Sequence, residues 1–495
     1  MNDLKQKTKK AFLWDFTGKI SGQIVGFIIS IFLARILSPE NFGVLAMVNV
    51  IIALSSTLTD MGLGIALIQR KDVKEEHYTS VFYFNITIGI ILSLTLLSTA
   101  GYIAEFYKND SVADIARVMS AIFVLNSIGL VLRLKLRRDL DYAIPTQANL
   151  IAAVLSGIIG VVMALNGFGI WSLVAQSLSN PIIANFWLFY RIKWRPVLKF
   201  NFEALKELWS FGFRMFLSGL LNSLLTNIDS LIVGRLFAPA TLGFFYRAKS
   251  LNNLVIQYSS DSLMSVLFPV ISKLQLERER LKEVVYKSFH ILNFIAFFLG
   301  GILYSTGEDI IVLLFSAKWY PTVPIFKILI MSSYAYPISA LLVNIISGLG
   351  NSRGFLKLEV IKVTIFSLNL VIGFYFGLNG YLYGYAIASF FGVLANMFYA
   401  AIELQVKTFW FIKITVPYML LALFTVFEIK TIDHFFHING VFHFMVVSCV
   451  FFITYVCLAR LFKMKGLTLL LNEMFRIKQL EKFKTMFGFS PKIVA

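Results

Sequence analysis

Charge is scarce in this chain. Only 15% of its 495 residues are Asp, Glu, Lys or Arg, while 58% are hydrophobic. A soluble protein carries about 25% charge, so a chain this apolar cannot hide its hydrophobic side chains in an aqueous fold, and we read it as an integral membrane protein. Cysteine is almost absent. Cys449 and Cys457 lie eight residues apart in one apolar run, where packed or lipid-facing thiols are expected rather than a disulfide framework or a metal site. The sequence also lacks the short alternating segments of a β-barrel; its apolar runs extend to roughly 20 residues, the length of a membrane-spanning helix.

Hydropathy places fourteen candidate spans near 11–34, 42–67, 80–103, 112–132, 144–165, 170–190, 209–234, 241–268, 284–306, 322–347, 355–377, 380–403, 409–428 and 441–460. Lys5, Lys7, Lys9 and Lys10 before Ala11–Ala34 resemble the start of a signal peptide. The apolar stretch is too long for one and has no small-residue cleavage site, so it is expected as a retained first span. Basic residues crowd alternate loops, as in Arg133/Lys135/Arg137/Arg138 and Arg191/Lys193/Arg195/Lys199/Lys206. The opposite loops hold only Arg35, Lys108, Arg235, Lys318 and Lys430. This asymmetry puts both ends of the chain in the cytoplasm and makes the formal net charge of +18 topological. It does not point to nucleic acid.

One pattern recurs. Arg35-Ile36-Leu37-Ser38-Pro39-Glu40-Asn41-Phe42-Gly43 returns as Arg235-Leu236-Phe237-Ala238-Pro239-Ala240-Thr241-Leu242-Gly243, and Leu165-Asn166-Gly167 returns as Leu378-Asn379-Gly380. The expected fold is therefore all-α: two six-helix parallel repeats, 1–200 and 201–405, two additional helices over 406–462, and a basic amphipathic tail over 463–495. Pro39 and Pro239 end one helix or start the next, with Ser38, Asn41 or Thr241 as caps. Asn201–Trp209 has the spacing of an interfacial linker helix. The tail presents Leu467, Leu470, Met474, Ile477, Leu480, Phe483 and Phe487 on one face, as a membrane-surface helix does.

Ionisable residues inside spans are costly and by default mark a pathway. Lys19 and Arg214 occupy equivalent inner positions in the first helix of each repeat, and Arg247, Lys249, Lys327 and Lys362 add further cations. The acids at span depth are Asp15, Asp60, Asp229, Asp261 and Glu359. Cations at both ends of a pathway suit an anionic headgroup. The simpler alternatives are that Asp15 and Lys19 form a local i,i+4 pair and that Asp229 neutralises Arg247. Gln23, Asn49, Asn222 and Asn227 are candidate sugar contacts, although such residues also join helices. Other motifs are weak. Asp139-Leu140-Asp141 imitates a metal-binding Asp-x-Asp but follows Arg137 and Arg138 at a span end. His434, His437 and His443 lack companion ligands for zinc, and no Gly-rich loop precedes a Walker lysine.

Arg-x-x-Ser-Pro-x-x-Phe-Gly after the first span, Asp60-Met61-Gly62-Leu63 through Ile68, Leu165-Asn166-Gly167, Asn227-Ile228-Asp229-Ser230-Leu231-Ile232-Val233-Gly234-Arg235 and Leu242-Gly243-Phe244-Phe245 together resemble the polysaccharide transporter family. These are the Wzx/WzxC-like lipid-linked oligosaccharide flippases of the multidrug/oligosaccharidyl-lipid/polysaccharide exporter superfamily. The resemblance implies a multi-pass protein of the bacterial inner membrane, not an enzyme. It implies that undecaprenyl-pyrophosphate-linked repeat units for O-antigen, capsule or exopolysaccharide pass between two helix bundles by alternating access. Lys19 and Arg214 would then hold the pyrophosphate, while Asp15, Asp60, Asp229, Glu359, Arg35 and Arg235 become ion-coupling or gating candidates. No cofactor is expected; a proton or sodium gradient is the candidate driving force, and a polysaccharide polymerase is a candidate partner. The alternatives are a multidrug or organic-cation exporter of the same superfamily, and a membrane glycosyltransferase or polymerase. Short outer loops disfavour the second.

Overall fold

A computed structural model describes residues 2–70, 72–435 and 440–476. Among the described residues there is no strand, and the chain separates into two compact units, Met1–Tyr246 and Arg247–Ala495.

The first unit contains α1 (Asn2–Ile36), α2 (Pro39–Asp60), α3 (Leu63–Gln69), α4 (Glu75–Tyr107), α5 (Ser111–Met119), α6 (Ala121–Arg138), α7 (Ala143–Leu165), α8 (Ile170–Arg191), α9 (Phe202–Leu236) and the start of α10 (Pro239–Lys273). Helix α1 packs on α7 through small residues: Gly18 lies against Thr146, and Ile29 fills the notch at Gly157. Helix α9 packs instead on α2, α3 and α4. The core between them is built from Leu63, Leu67, Val81, Phe82, Val131, Leu134, Leu205 and Leu208. Leu205 and Leu208 correct one expectation. The predicted interfacial linker is the first two turns of the continuous α9, and these leucines turn inward onto α3, α4 and α6 rather than to a membrane surface. Its start is fixed by Asn201, whose side-chain oxygen accepts the Glu203 N–H at 3.0 Å and whose backbone N–H donates to Ser80 Oγ at 2.9 Å.

The second unit continues with α11 (Arg278–Phe315), a 3-10 turn at Ala317–Trp319, α12 (Thr322–Met331), α13 (Ala335–Gly348), α14 (Ser352–Tyr375), α15 (Gly377–Leu404), α16 (Thr408–Phe435), α17 (Gly440–Leu461) and α18 (Lys465–Arg476). Helix α11 is its spine and touches α12, α13, α16, α17 and α18. Aromatic side chains fill the contact: Phe289 meets Phe411 edge-on at 4.9 Å, and Phe294 meets Tyr455 at 5.2 Å.

Ten helical segments among the described residues are long and apolar enough to cross a membrane, and a bent pair within α9 brings the number to eleven. Two of them are interrupted, Ser111–Arg138 between α5 and α6 and Thr322–Gly348 between α12 and α13. Both breaks carry serines whose hydroxyls donate back to the preceding turn, Ser120 to Arg117 O at 2.6 Å and Ser332 to Leu329 O at 2.7 Å.

The recurring Pro–Gly motif has a structural reason. Its first copy opens α2, with Pro39 at the first turn and Ser38 Oγ accepting the Asn41 N–H at 3.4 Å; its second opens α10. The two copies cross inside the first unit. A Cβ on Gly43 would sit 1.7 Å from the Pro239 carbonyl oxygen, and one on Gly243 would sit 2.1 Å from that of Pro39. Each glycine admits the backbone of the other copy, so only hydrogen fits at either position. A third close approach lies at the α2–α3 break. Gly62, at φ +73°, brings its Cα to the Gly212 carbonyl, where a Cβ would come within 2.1 Å.

Candidate functional site

Helix α1 is little buried along Leu13–Ile36. On its open side Lys19 and Gln23 are exposed one turn apart. The Lys19 ammonium pairs with Asp15 at 2.6 Å, confirming the local i,i+4 contact, yet its side chain is 76% exposed and its remaining donors stay available. On α9, Arg214 and Asn222 are exposed two turns apart. Among the described residues Arg214 has no carboxylate or hydrogen-bond partner. Lower on the same helix Asn227 is committed to its own helix, donating to Ser223 O at 2.9 Å. Asp229 is buried and its carboxylate accepts the Ser230 N–H at 2.6 Å and the Ser230 hydroxyl at 3.2 Å.

The other candidates divide by what they touch. Asp60 accepts the Gly64 N–H with both oxygens, at 2.9 and 3.0 Å, and so caps the short α3. Arg35 is exposed, and Arg235 lays its guanidinium over the Phe106 ring at 5.3 Å. Asn49 is half-buried on α2. In the second unit Arg247 is only 7% exposed and lies over Phe315 and Trp319, at 4.7 and 5.1 Å. Lys249 is half-buried. Lys327 meets Glu308 at 3.7 Å, and Lys362 pairs with Glu359 at 2.5 Å one turn away on α14. The side chains of Asp261 and His434, together with His437 and the tail from Ile477 onward, lie outside the described residues.

Sequence reasoning missed a three-residue cluster. His443 on α17 joins Asp309 on α11 at 2.7 Å through Nδ1 and Asp433 on α16 at 2.9 Å through Nε2. The partners are 134 and 10 residues away, and Asp309 falls just past the predicted end of its span, so no local spacing signalled the contact. No group of His, Cys, Asp and Glu among the described residues has metal-holding geometry. Asp139-Leu140-Asp141 is a turn in which Asp141 accepts the Ala143 N–H at 3.1 Å, opening α7.

What recurs in unit 1 is a set of exposed polar side chains on otherwise apolar helices, with Arg214 uncommitted and Lys19 only partly committed. The family model for polysaccharide biosynthesis proteins matches residues 32–324, more than half of the chain. The chain belongs to that family. Its relatives include the teichuronic acid biosynthesis protein TuaB of Bacillus subtilis (strain 168), 28% identical over 275 residues, 54% of this chain and 56% of TuaB. The match thus spans little more than half the length of that relative. The lipopolysaccharide biosynthesis protein WzxC of Escherichia coli (strain K12) is 25% identical across 75% of this chain and 76% of WzxC. Among solved structures, the lipid II flippase MurJ in an inward closed conformation superposes with a TM-score of 0.71 at 16% identity, covering 91% of this chain and 98% of MurJ. An inward-facing multidrug resistance MATE family transporter superposes at 0.62 and 15% identity, over 78% of this chain and 94% of that one. The family member described here is therefore a multi-pass membrane protein with the fold of these transporters.

Proposed function

We propose that the protein is a flippase that moves lipid-linked oligosaccharide repeat units, carried on undecaprenyl pyrophosphate, across the bacterial inner membrane by alternating access. The observation that carries this reading is Arg214, an exposed cation on a long membrane helix that has no protein partner among the described residues. In the inner part of a span a cation is unfavourable unless it reaches water, an opposite charge or the interface, and a wet pathway carrying an anionic ligand supplies the first two. Lys19 supplies a second cation, and Gln23 and Asn222 supply donors and acceptors for sugar hydroxyls. The carboxylates Asp15, Asp60 and Glu359 are engaged by Lys19, the Gly64 N–H and Lys362, which favours an anionic cargo over an organic cation. WzxC, TuaB and the succinoglycan biosynthesis transport protein ExoT of Rhizobium meliloti (strain 1021), 26% identical over 64% of this chain and 65% of ExoT, are named for surface-polysaccharide pathways. MurJ is named a lipid II flippase.

The topology that serves this function is fourteen spans. Besides the ten apolar segments and the bent α9, helices α8, α10 and α14 have 22, 35 and 24 residues, each long enough to cross a ~30 Å core. An even number returns the chain to the side on which it starts, and the lysine and arginine asymmetry makes that side the cytoplasm.

The experiment is sidedness of the lipid-linked repeat unit in cells whose own flippase is deleted. The wild-type gene should make radiolabelled repeat units reachable by a glycosidase added outside. The Lys19→Gln/Arg214→Gln variant, matched for expression, should slow that by tenfold or more, since each charge-assisted contact is worth about 1.5–3 kcal/mol. Unchanged export by the variant removes the two cations from the mechanism, and no export by the wild type across several lipid-linked substrates removes the flippase reading.

A further inference from the structure

A cavity of about 1120 Å³ opens between α11, α16 and the α17–α18 turn in the second unit. It is larger than the ~300–1,000 Å³ that holds a drug-sized ligand. Its walls are apolar except at one end, where Lys413 and Lys465 stand, and among the described residues no carboxylate lines it. Lys465 opens α18 and donates to the Tyr286 hydroxyl at 2.8 Å. Lys413 begins a stripe on α16 that continues through Pro417, Leu420, Phe424 and Phe427. These positions fall every three or four residues, so they share one helix face. All five are exposed.

A buried imidazole stands behind the cavity wall. Gly466 N–H donates to the Tyr418 hydroxyl at 2.8 Å, and that hydroxyl lies 2.7 Å from His290 Nδ1. The phenol has one hydrogen, and the buried acceptor within its reach is Nδ1. The imidazole proton therefore belongs on Nε2. His290 is 9% exposed, lines the cavity, and its Nε2 has no hydrogen-bond partner. The Tyr286 ring stands edge-to-face against it at 4.5 Å but offers it no lone pair. Nε2 itself is sealed from the cavity, so the ring stands behind the lysines rather than among the groups that reach a ligand.

We propose that this cavity binds one acidic diacyl phospholipid, with its phosphodiester held by Lys413 and Lys465 and its chains lying along the α16 stripe. Two cations, with no opposing acid among the described residues that line the cavity, complement a single phosphate. The length also matches. From Lys413 to Phe427 the helix rises about 21 Å, which is half of the ~40–45 Å bilayer including its headgroups, or one leaflet. By the positive-inside distribution that leaflet is the cytoplasmic one, where acidic lipids attract lysine. The proposal does not depend on the transported substrate.

The test is native mass spectrometry of the full chain released from detergent micelles containing equal amounts of dioleoylphosphatidylglycerol and dioleoylphosphatidylcholine. The wild type should retain one phosphatidylglycerol in preference to phosphatidylcholine. Each lysine at an acidic lipid surface contributes about a fivefold factor, so Lys413→Gln/Lys465→Gln, two exposed substitutions that leave the core untouched, should weaken retention by about 25-fold. Leu420→Trp, which fills the stripe from its lipid-exposed side, should compete with the chains and lower retention with both lysines present. Equal retention of the two lipids, undiminished retention in the double lysine variant, or a co-purified polyprenyl phosphate in place of phosphatidylglycerol would each overturn the proposal.

Discussion

Replacing Gly43 by alanine probes the crossing of the two motif copies directly. The new Cβ would lie 1.7 Å from the Pro239 carbonyl oxygen, and no real Cβ contact is shorter than 3.0 Å, so one backbone must retreat by about 1.3 Å. The atom in the way belongs to the main chain, so it cannot swing aside as a long side chain can. The retreat also disturbs the reciprocal contact, because Gly243 rests on Pro39 in the same crossing. Overpacking of this kind costs about 1–3 kcal/mol, and the upper end applies where backbone meets backbone. Alanine returns up to about 1 kcal/mol of helix propensity, leaving a net loss of about 2 kcal/mol. For a unit of this size that corresponds to a fall of roughly 4–8 °C in melting temperature. The controls are Gly22→Ala and Gly26→Ala on α1, where nothing lies within 4 Å of the new Cβ and the same propensity gain is unopposed. Melting should be followed by size-exclusion of heated, detergent-solubilised protein at one heating protocol, since membrane proteins unfold irreversibly. Gly243→Ala should behave like Gly43→Ala, and the double variant should cost less than the sum because both strain one contact. If Gly43→Ala melts within about 1 °C of Gly22→Ala, the two copies do not meet as described.

Other substitutions separate stability from transport. Asp15→Asn and Lys19→Gln each break an exposed i,i+4 pair, so melting should hold within what about 0.5 kcal/mol produces; a large fall would show that Lys19 is structural. Arg214→Gln should leave the melting temperature unchanged, because no protein partner is lost, while export of the lipid-linked repeat unit drops by about tenfold or more. His443→Leu strands Asp309, which is 9% exposed, and should lower stability by about 2 kcal/mol. Asp309→Asn in that background should recover part of the loss in the same melting assay, and a recovery of nothing would mean that the histidine acts by packing alone. Gly62→Ala meets both a left-handed backbone and the Gly212 carbonyl, so its melting loss should match or exceed that of Gly43→Ala.

Much of the architecture was legible from composition and periodicity because a membrane imposes simple rules. An apolar run must be about 20 residues to cross, and a charge within it needs a partner or water. Lys19 and Arg214 were found that way, and so was the repeated Arg–Pro–Gly stretch. Sequence could not reveal which acids were already committed. Asp60 turns back to cap α3, and Glu359 closes on Lys362, whereas Arg214 meets no acid among the described residues. The Asn201–Trp209 segment was misread for a related reason. Its helical spacing suited a membrane surface equally well, and only the neighbouring α3, α4 and α6 turned Leu205 and Leu208 into core.

By itself the sequence determined that this is a helical membrane protein built around a repeated motif, because hydrophobic length, basic-residue bias and self-similarity are one-dimensional properties. Tertiary structure decided that Gly43 and Gly243 face each other's prolines, that His443 draws Asp309 and Asp433 together, and that Lys413 and Lys465 rim one apolar cavity. These are contacts between residues tens to hundreds of positions apart. Their energies depend on distances of a few ångströms, which no spacing along the chain encodes.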